Sequence, residues 1–177
     1  MNGYRVRVTK DYLTFASGHF ISFEDHECER LHGHNYRVGV VVEGPLGAGQ
    51  YVLNFVTIKR TMKRLADELD HRVLIATHNP VIAVHEEPDG SVGVTCRDRR
   101  YRFPREDVVL LPISNTTAEL LATHLSGRLH DELRKLGHTH LTALEIEVEE
   151  STGQSAFYRE ELTAAAARDD SGARPGA

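Results

Sequence analysis

Cys28-Glu29-Arg30-Leu31-His32-Gly33-His34-Asn35-Tyr36-Arg37-Val38-Gly39-Val40-Val41-Val42 is the stretch on which the fold turns. Residues two apart on an extended chain share a face. Tyr36, Val38, Val40 and Val42 therefore mark a half-buried strand over 34–43, and His32 and His34 point together just before it. Upstream, residues 4–20 read as one long or bent strand, with Tyr4, Val6 and Val8 alternating with Arg5, Arg7 and Thr9. If these strands pair antiparallel through the loop 21–31, His19 arrives beside His32 and His34.

Downstream, Gly44-Pro45-Leu46-Gly47-Ala48-Gly49 is a turn, and 51–55 a short extended segment. Ile58, Met62, Leu65 and Leu69 form the apolar stripe of a helix over about 56–69, with Lys59, Arg60, Lys63 and Arg64 outward. Residues 75–114 are less regular, but Pro88-Asp89-Gly90 between two valine-rich runs predicts a hairpin. A second helix begins near Thr116, where Thr116-Thr117-Ala118-Glu119 fits a capping box, and continues through Leu121, Leu125, Leu129, Leu133 and Leu136 to Gly137. Leu144, Ile146 and Val148 predict a third strand over 141–149, and 154–160 a fourth. This order predicts an α+β fold, an antiparallel β-sheet with both helices on one face. It is a single domain over 1–162 with an insertion at about 75–114, followed by a tail over 163–177.

With 40% apolar and 27% charged residues, the composition is that of an ordinary globular domain. A net charge of −5 gives no support for a nucleic-acid or anionic-membrane partner. No apolar run reaches the roughly 18 residues of a membrane span. The start has no apolar core of a secretory leader, and Cys28 and Cys96 are too few for a disulfide framework, so a cytoplasmic location is expected. Three neutral imidazoles with one open position form the pattern of a catalytic zinc site, whereas structural sites are closed by four ligands. A His-x-His pair alone carries little, because His138-Thr139-His140 repeats the spacing at a helix end. The upstream His19, the intervening Gly33 and the nearby Cys28 favour His19, His32 and His34 as the ligands of a Zn2+ cofactor.

Taken together, these segments resemble the 6-pyruvoyl-tetrahydropterin synthase / 6-carboxytetrahydropterin synthase family over about 4–158. The matching pieces are Phe15-Ala16-Ser17-Gly18-His19, Cys28 through Tyr36, Leu69-Asp70-His71, Thr117-Ala118-Glu119 and Glu150-Ser151. The resemblance implies a tunnelling fold in which subunit sheets join into a barrel, as a homotrimer or homohexamer with active sites between subunits. It implies a zinc lyase acting on 7,8-dihydroneopterin triphosphate, with Cys28 as catalytic base, Asp70 and His71 as proton relay, and Glu150 as pterin anchor. The leading expectation is 6-carboxytetrahydropterin synthase, on the route to queuosine, releasing acetaldehyde and triphosphate. The alternatives are 6-pyruvoyl-tetrahydropterin synthase, a bifunctional enzyme, and a non-catalytic zinc or pterin binder.

The chain departs from the family pattern at Asn54, where an aspartate is usual, and at Thr116, where a proline is common. Its longer insertion carries Arg97, Arg99, Arg100, Arg102 and Arg105. A solvated hairpin explains these better than a triphosphate clamp. Because Glu29 follows Cys28, the segment also fits the Glu-x-x-His-Gly-His form, which in this family resembles enzymes that release 6-hydroxymethyl-dihydropterin. A secondary role for Glu29 in that cleavage is expected.

Overall fold

The computed structural model describes residues 3–24 and 27–162, so the tail over 163–177 lies outside the described residues. The elements are β1 (Tyr4–His19), β2 (His32–Gly44), α1 (Phe55–Asp67), β3 (Arg72–Ala76), β4 (Ile82–Glu86), β5 (Val92–Cys96), β6 (Arg99–Phe103), β7 (Val108–Leu111), α2 (Ala118–Lys135), β8 (Ala143–Ser151) and β9 (Gln154–Glu161). The expected four strands are present as β1, β2, β8 and β9. The main sheet is wider, however, with six strands in the order β7-β3-β1-β2-β8-β9. The chain after α1 supplies two of them, β3 at the start of the insertion and β7 near its end: β3 runs parallel to β1, and β7 parallel to β3. The remainder of the insertion forms a separate antiparallel sheet, β4-β5-β6, whose first hairpin closes at Gly90 (φ +81°).

Both helices pack on the main sheet and bury the predicted stripes. Ile58, Met62 and Leu65 of α1, and Leu121, Leu125, Leu129 and Leu133 of α2, are at most 2% exposed and join one core with Tyr36, Val38, Val40, Leu144, Ile146 and Val148. Each such side chain contributes roughly 1.5–3 kcal/mol by leaving water. Leu136 is exposed instead, because it lies past the last turn of α2, where Gly137 (φ +85°) ends the helix. Residues 51–53 are bends rather than a strand, and Asn54 caps α1 by accepting from the Val56 N–H at 2.8 Å. Asparagine caps as well as aspartate, so the missing charge leaves this helix start intact.

The predicted capping box does not form. Thr117 is the N-cap and makes no side-chain cap bond, while the Thr116 hydroxyl donates to the Phe20 carbonyl at 2.9 Å. A second core lies under the insertion, where Phe20, Ile75, Ile82, Val92, Val94, Cys96 and Val108 cluster. Cys28 packs against it and is disulfide-bonded to Cys96, so two cysteines suffice for one covalent tie between the β1–β2 loop and β5.

Away from the helices, β1, β2, β8 and β9 carry cross-strand ion pairs: Arg5 with Glu145 (2.6 Å), Arg7 with Glu147 (2.7 Å) and Arg159 with Glu43 (2.7 Å). Among the described residues, no helix is long and apolar enough to cross a membrane.

Candidate metal centre and active site

Strand register assembles the site. β1 and β2 pair antiparallel with His19 opposite His32 and Ser17 opposite His34. Gly18 faces Gly33 in this ladder, and a Cβ on Gly33 would sit 3.0 Å from the Ser17 carbonyl oxygen. Any side chain there would push the two strands apart, so the glycine between the histidines sets their spacing. The candidate ligand nitrogens of His19, His32 and His34 lie within 4.8 Å of one another.

Hydrogen bonds fix which nitrogen His19 and His32 present. His19 is 2% exposed, and its Nδ1 donates to the Thr116 carbonyl at 3.0 Å. The His32 Nδ1 donates likewise to the Arg30 carbonyl at 2.9 Å. A carbonyl can only accept, so each Nδ1 carries the proton and each Nε2 keeps its lone pair. The buried His19 Nε2 makes no hydrogen bond and faces the cluster. Burial lowers the His19 pKa, against the opposing pull of the Thr116 carbonyl. Neutral imidazoles oriented by backbone carbonyls are what a metal ion of zinc's type selects. These residues therefore fit a three-histidine metal site, whose remaining position would open on the cavity.

That cavity measures about 350 Å³ and is bounded by His19, His32, Glu29, Glu150 and the start of α2 at Thr117 and Glu119. It is within the usual size for small-molecule sites. The Glu150 carboxylate lies 3.5 Å from His19 Nε2 and 3.7 Å from His34 Nε2. It accepts from the Tyr36 hydroxyl at 3.4 Å. Tyr36 is fully buried and stacks on Phe15 with ring centroids 4.7 Å apart. Its phenol, pushed above its ordinary pKa by burial and then by Glu150, remains a donor. Glu149 turns to the other side, accepting from the Gly153 N–H at 2.9 Å, as strand alternation requires.

The structure separates Cys28 from Glu29. Glu29 lines the cavity, its carboxylate 3.8 Å from His32 Nδ1. Cys28 does not line it, because its sulfur is bound to Cys96 on the insertion side. A disulfide sulfur is no base, so in this state the role expected of Cys28 is not available to it.

Asp70 and His71 are likewise apart from Glu29. They end the α1–β3 connection, where the Asp70 carboxylate accepts from the Ala16 N–H at 2.7 Å and lies 3.0 Å from His71 Nδ1. Burial works to raise the Asp70 pKa, but bonds from Ala16 and His71 outweigh it and hold it below the usual carboxylate range. His71 adopts φ +55°, a conformation uncommon for a residue with a side chain. Its ring is 83% exposed and lines a second concavity, shared with Ser17, Gly33 and His34. Asp70-His71 is thus a preformed acid–imidazole pair, presented outward rather than into the Glu29 cavity.

Thr116, Tyr36 and the bond between Asn115 and Ser22 were not visible as site elements in the sequence. The Asn115 side chain accepts from the Ser22 N–H at 3.3 Å and donates to its carbonyl at 2.9 Å, clamping the upstream arm of the β1–β2 loop. None of the five insertion arginines lines the cavity. Arg102 pairs with Asp89 and Arg105 donates to the Val108 carbonyl, as befits a solvated hairpin.

A mixed sheet backed by two helices, with three histidines at one strand end that could hold a metal ion, has the architecture of the tunnelling fold. The family model described as 6-pyruvoyl tetrahydropterin synthase matches residues 7–161, and the chain belongs to that family. A Methanocaldococcus jannaschii protein provisionally named a 6-carboxy-5,6,7,8-tetrahydropterin synthase is 35% identical over 151 residues, covering 85% of this chain and 91% of the relative. The Aquifex aeolicus 6-carboxy-5,6,7,8-tetrahydropterin synthase is 27% identical over 158 residues, covering 88% and 91%. The crystal structure of Plasmodium vivax 6-pyruvoyl tetrahydropterin synthase superposes with a TM-score of 0.84 at 28% identity, covering 92% of this chain and all of that one. A variant of the Plasmodium vivax enzyme with alanine in place of a catalytic glutamate superposes equally well.

Proposed function

We propose that this chain is a zinc-dependent lyase that converts 7,8-dihydroneopterin triphosphate to 6-carboxytetrahydropterin, with release of acetaldehyde and triphosphate. The observation that carries the reading is the convergence of three imidazoles beside Glu150, with His19, His32 and Glu150 on the wall of a cavity of small-molecule size. Its near-full-length similarity to proteins named for that reaction supports it. Zinc, when bound, polarises side-chain hydroxyls of the substrate and acidifies the adjacent groups. Glu150 can accept two parallel N–H bonds from the amino-pyrimidinone edge of the pterin. Tyr36 holds that carboxylate in place.

A second reading is favoured by one observation, the presence of Glu29 on the cavity wall while Cys28 is tied to Cys96. In that state Glu29 is the base within reach. Proton removal from a side-chain hydroxyl followed by carbon–carbon cleavage gives 6-hydroxymethyl-dihydropterin. The catalytic glutamate named for the Plasmodium vivax enzyme lends weight to this role. Incubation of zinc-loaded protein with 7,8-dihydroneopterin triphosphate, followed by mass analysis, separates the two products. Glu29→Ala is expected to reduce 6-hydroxymethyl-dihydropterin formation about 10²–10⁴-fold, the usual contribution of a general base. An unchanged rate in that variant would sink the role given to Glu29.

Asp70 and His71 complete the machinery in this reading only if they come from a second copy, since one chain presents them away from Glu29. We therefore propose a homotrimer or homohexamer with shared sites. Sedimentation velocity at micromolar concentration is expected to show three or six chains, and a stable monomer would exclude shared sites.

A further inference from the structure

We propose that the Cys28–Cys96 disulfide is a redox site that decides whether Cys28 or Glu29 faces the reacting molecule. The inference rests on the lyase reading for its chemistry, and on the loop geometry for its mechanics.

Among the described residues, the two arms of the β1–β2 loop pair with each other. The Phe23 N–H donates to the Glu27 carbonyl and the Glu29 N–H to the Ile21 carbonyl, both at 2.9 Å, and Ser22 bridges Cys28. Its two arms are held differently. The upstream arm is clamped by the paired bonds between Asn115 and Ser22. The downstream arm is joined to the insertion through the Cys28 sulfur. Neighbouring residues on an extended arm point in opposite directions. Holding Cys28 on the insertion core therefore turns Glu29 toward His32, where its carboxylate also accepts from the Ile21 N–H at 3.3 Å.

Reduction removes the covalent anchor of the downstream arm and leaves it held by its hydrogen bonds to Ile21, while the upstream clamp is untouched. An external dithiol supplies the two electrons and two protons. One of its thiolates attacks the Cys28 sulfur, Cys96 leaves as a thiol, and the second thiolate resolves the mixed disulfide. Attack at Cys28 is the accessible route, since Cys96 is fully buried and Cys28 only partly so. Cys28 is four residues from His32, and an extended chain advances about 3.3–3.6 Å per residue. A turn of this arm that opens the Glu29–Ile21 bonds can thus bring the thiol to the cavity. Removing a carbon-bound proton beside a polarised hydroxyl suits a thiolate better than a carboxylate. The reduced enzyme would then favour 6-carboxytetrahydropterin, and the oxidised enzyme 6-hydroxymethyl-dihydropterin.

The test compares zinc-loaded wild type before and after reduction by tris(2-carboxyethyl)phosphine with Cys96→Ser and Cys28→Ser. The first measurement is alkylation of Cys28 by iodoacetamide, with and without 7,8-dihydroneopterin triphosphate; the second is the product ratio. Oxidised wild type should resist alkylation. Reduced wild type and Cys96→Ser should be alkylated at Cys28, at least tenfold more slowly with the pterin present. The product ratio should shift at least tenfold on reduction. Cys96→Ser should show the reduced ratio without reductant, and Cys28→Ser the oxidised ratio under both conditions. Two free thiols in air-equilibrated protein, an unshifted ratio, or unprotected Cys28 would each overturn the proposal. Protection of Cys28 without either product would overturn the lyase reading and leave the redox site standing.

Discussion

His19→Ala is expected to strip the protein of its metal and nearly all of its activity, and to cost stability as well. His19 is one of three imidazole donors within 4.8 Å, and it is the buried one. Two remaining imidazoles fall short of the three protein ligands of a catalytic zinc site. Loss of the ion removes several kcal/mol of charge stabilisation, which corresponds to roughly a thousandfold or more in rate. The Thr116 carbonyl also loses its donor, and an unpaired buried acceptor costs about 1–3 kcal/mol. His32→Ala should lose the metal with a smaller stability change, because its backbone partner is exposed. His140→Ala should keep the metal: the His140 ring donates to the Val52 carbonyl, remote from the cluster. Metal content per chain by mass spectrometry and thermal unfolding read both effects. Near-stoichiometric metal in His19→Ala, or equal loss from His140→Ala, would show that the wrong histidines were assigned.

The second large effect is on stability. Cys28 and Cys96 are separated by 68 positions. Closing a loop of that length constrains the unfolded chain by about 4 kcal/mol. For a domain of this size, each kcal/mol moves the melting temperature by roughly 2–4 °C. Reduction is therefore expected to lower Tm by about 8–16 °C, and Cys28→Ser should reproduce the drop without reductant. Cys96→Ser should fall further, because it leaves a hydroxyl among Phe20, Ile82, Val94 and Val108, where an unpartnered polar group costs about 1–3 kcal/mol. A change below about 1 kcal/mol on reduction would mean that the bond contributes little to the fold.

The sequence carried the parts of the fold whose signals are local. Alternation of Tyr36, Val38, Val40 and Val42 gave β2, the leucine ladder gave α2, and His32 and His34 could be paired because a strand places residues two apart on one face. What it concealed is long-range. β3 and β7 are five and four residues long and join the sheet only by parallel pairing with distant segments, which leaves no mark within either. β6 alternates arginines with Tyr101 and Phe103, and its charges hid its strand character. Thr116 resembled the first residue of a capping box, yet its hydroxyl is taken by Phe20 and its carbonyl by His19, 97 positions away. Cys28 matched a catalytic thiol by its neighbours, and only the folding-back of the insertion reveals Cys96 beside it.

The face of the sheet turned from the helices is an ampholyte. Arg5 meets Glu145, Arg7 meets Glu147 and Arg159 meets Glu43, so each cation is matched by an anion two strands away, across the strand between. Exposed pairs of this kind contribute little to stability, commonly 0–1 kcal/mol. Their larger effect is on what the surface will tolerate. Burying it against an oily partner would take both members of every pair out of water, a cost their mutual attraction seldom recovers. If copies of the chain close into a ring with this face inward, the lumen is a hydrated wall of alternating sign, with no overall preference for anions or cations passing through it.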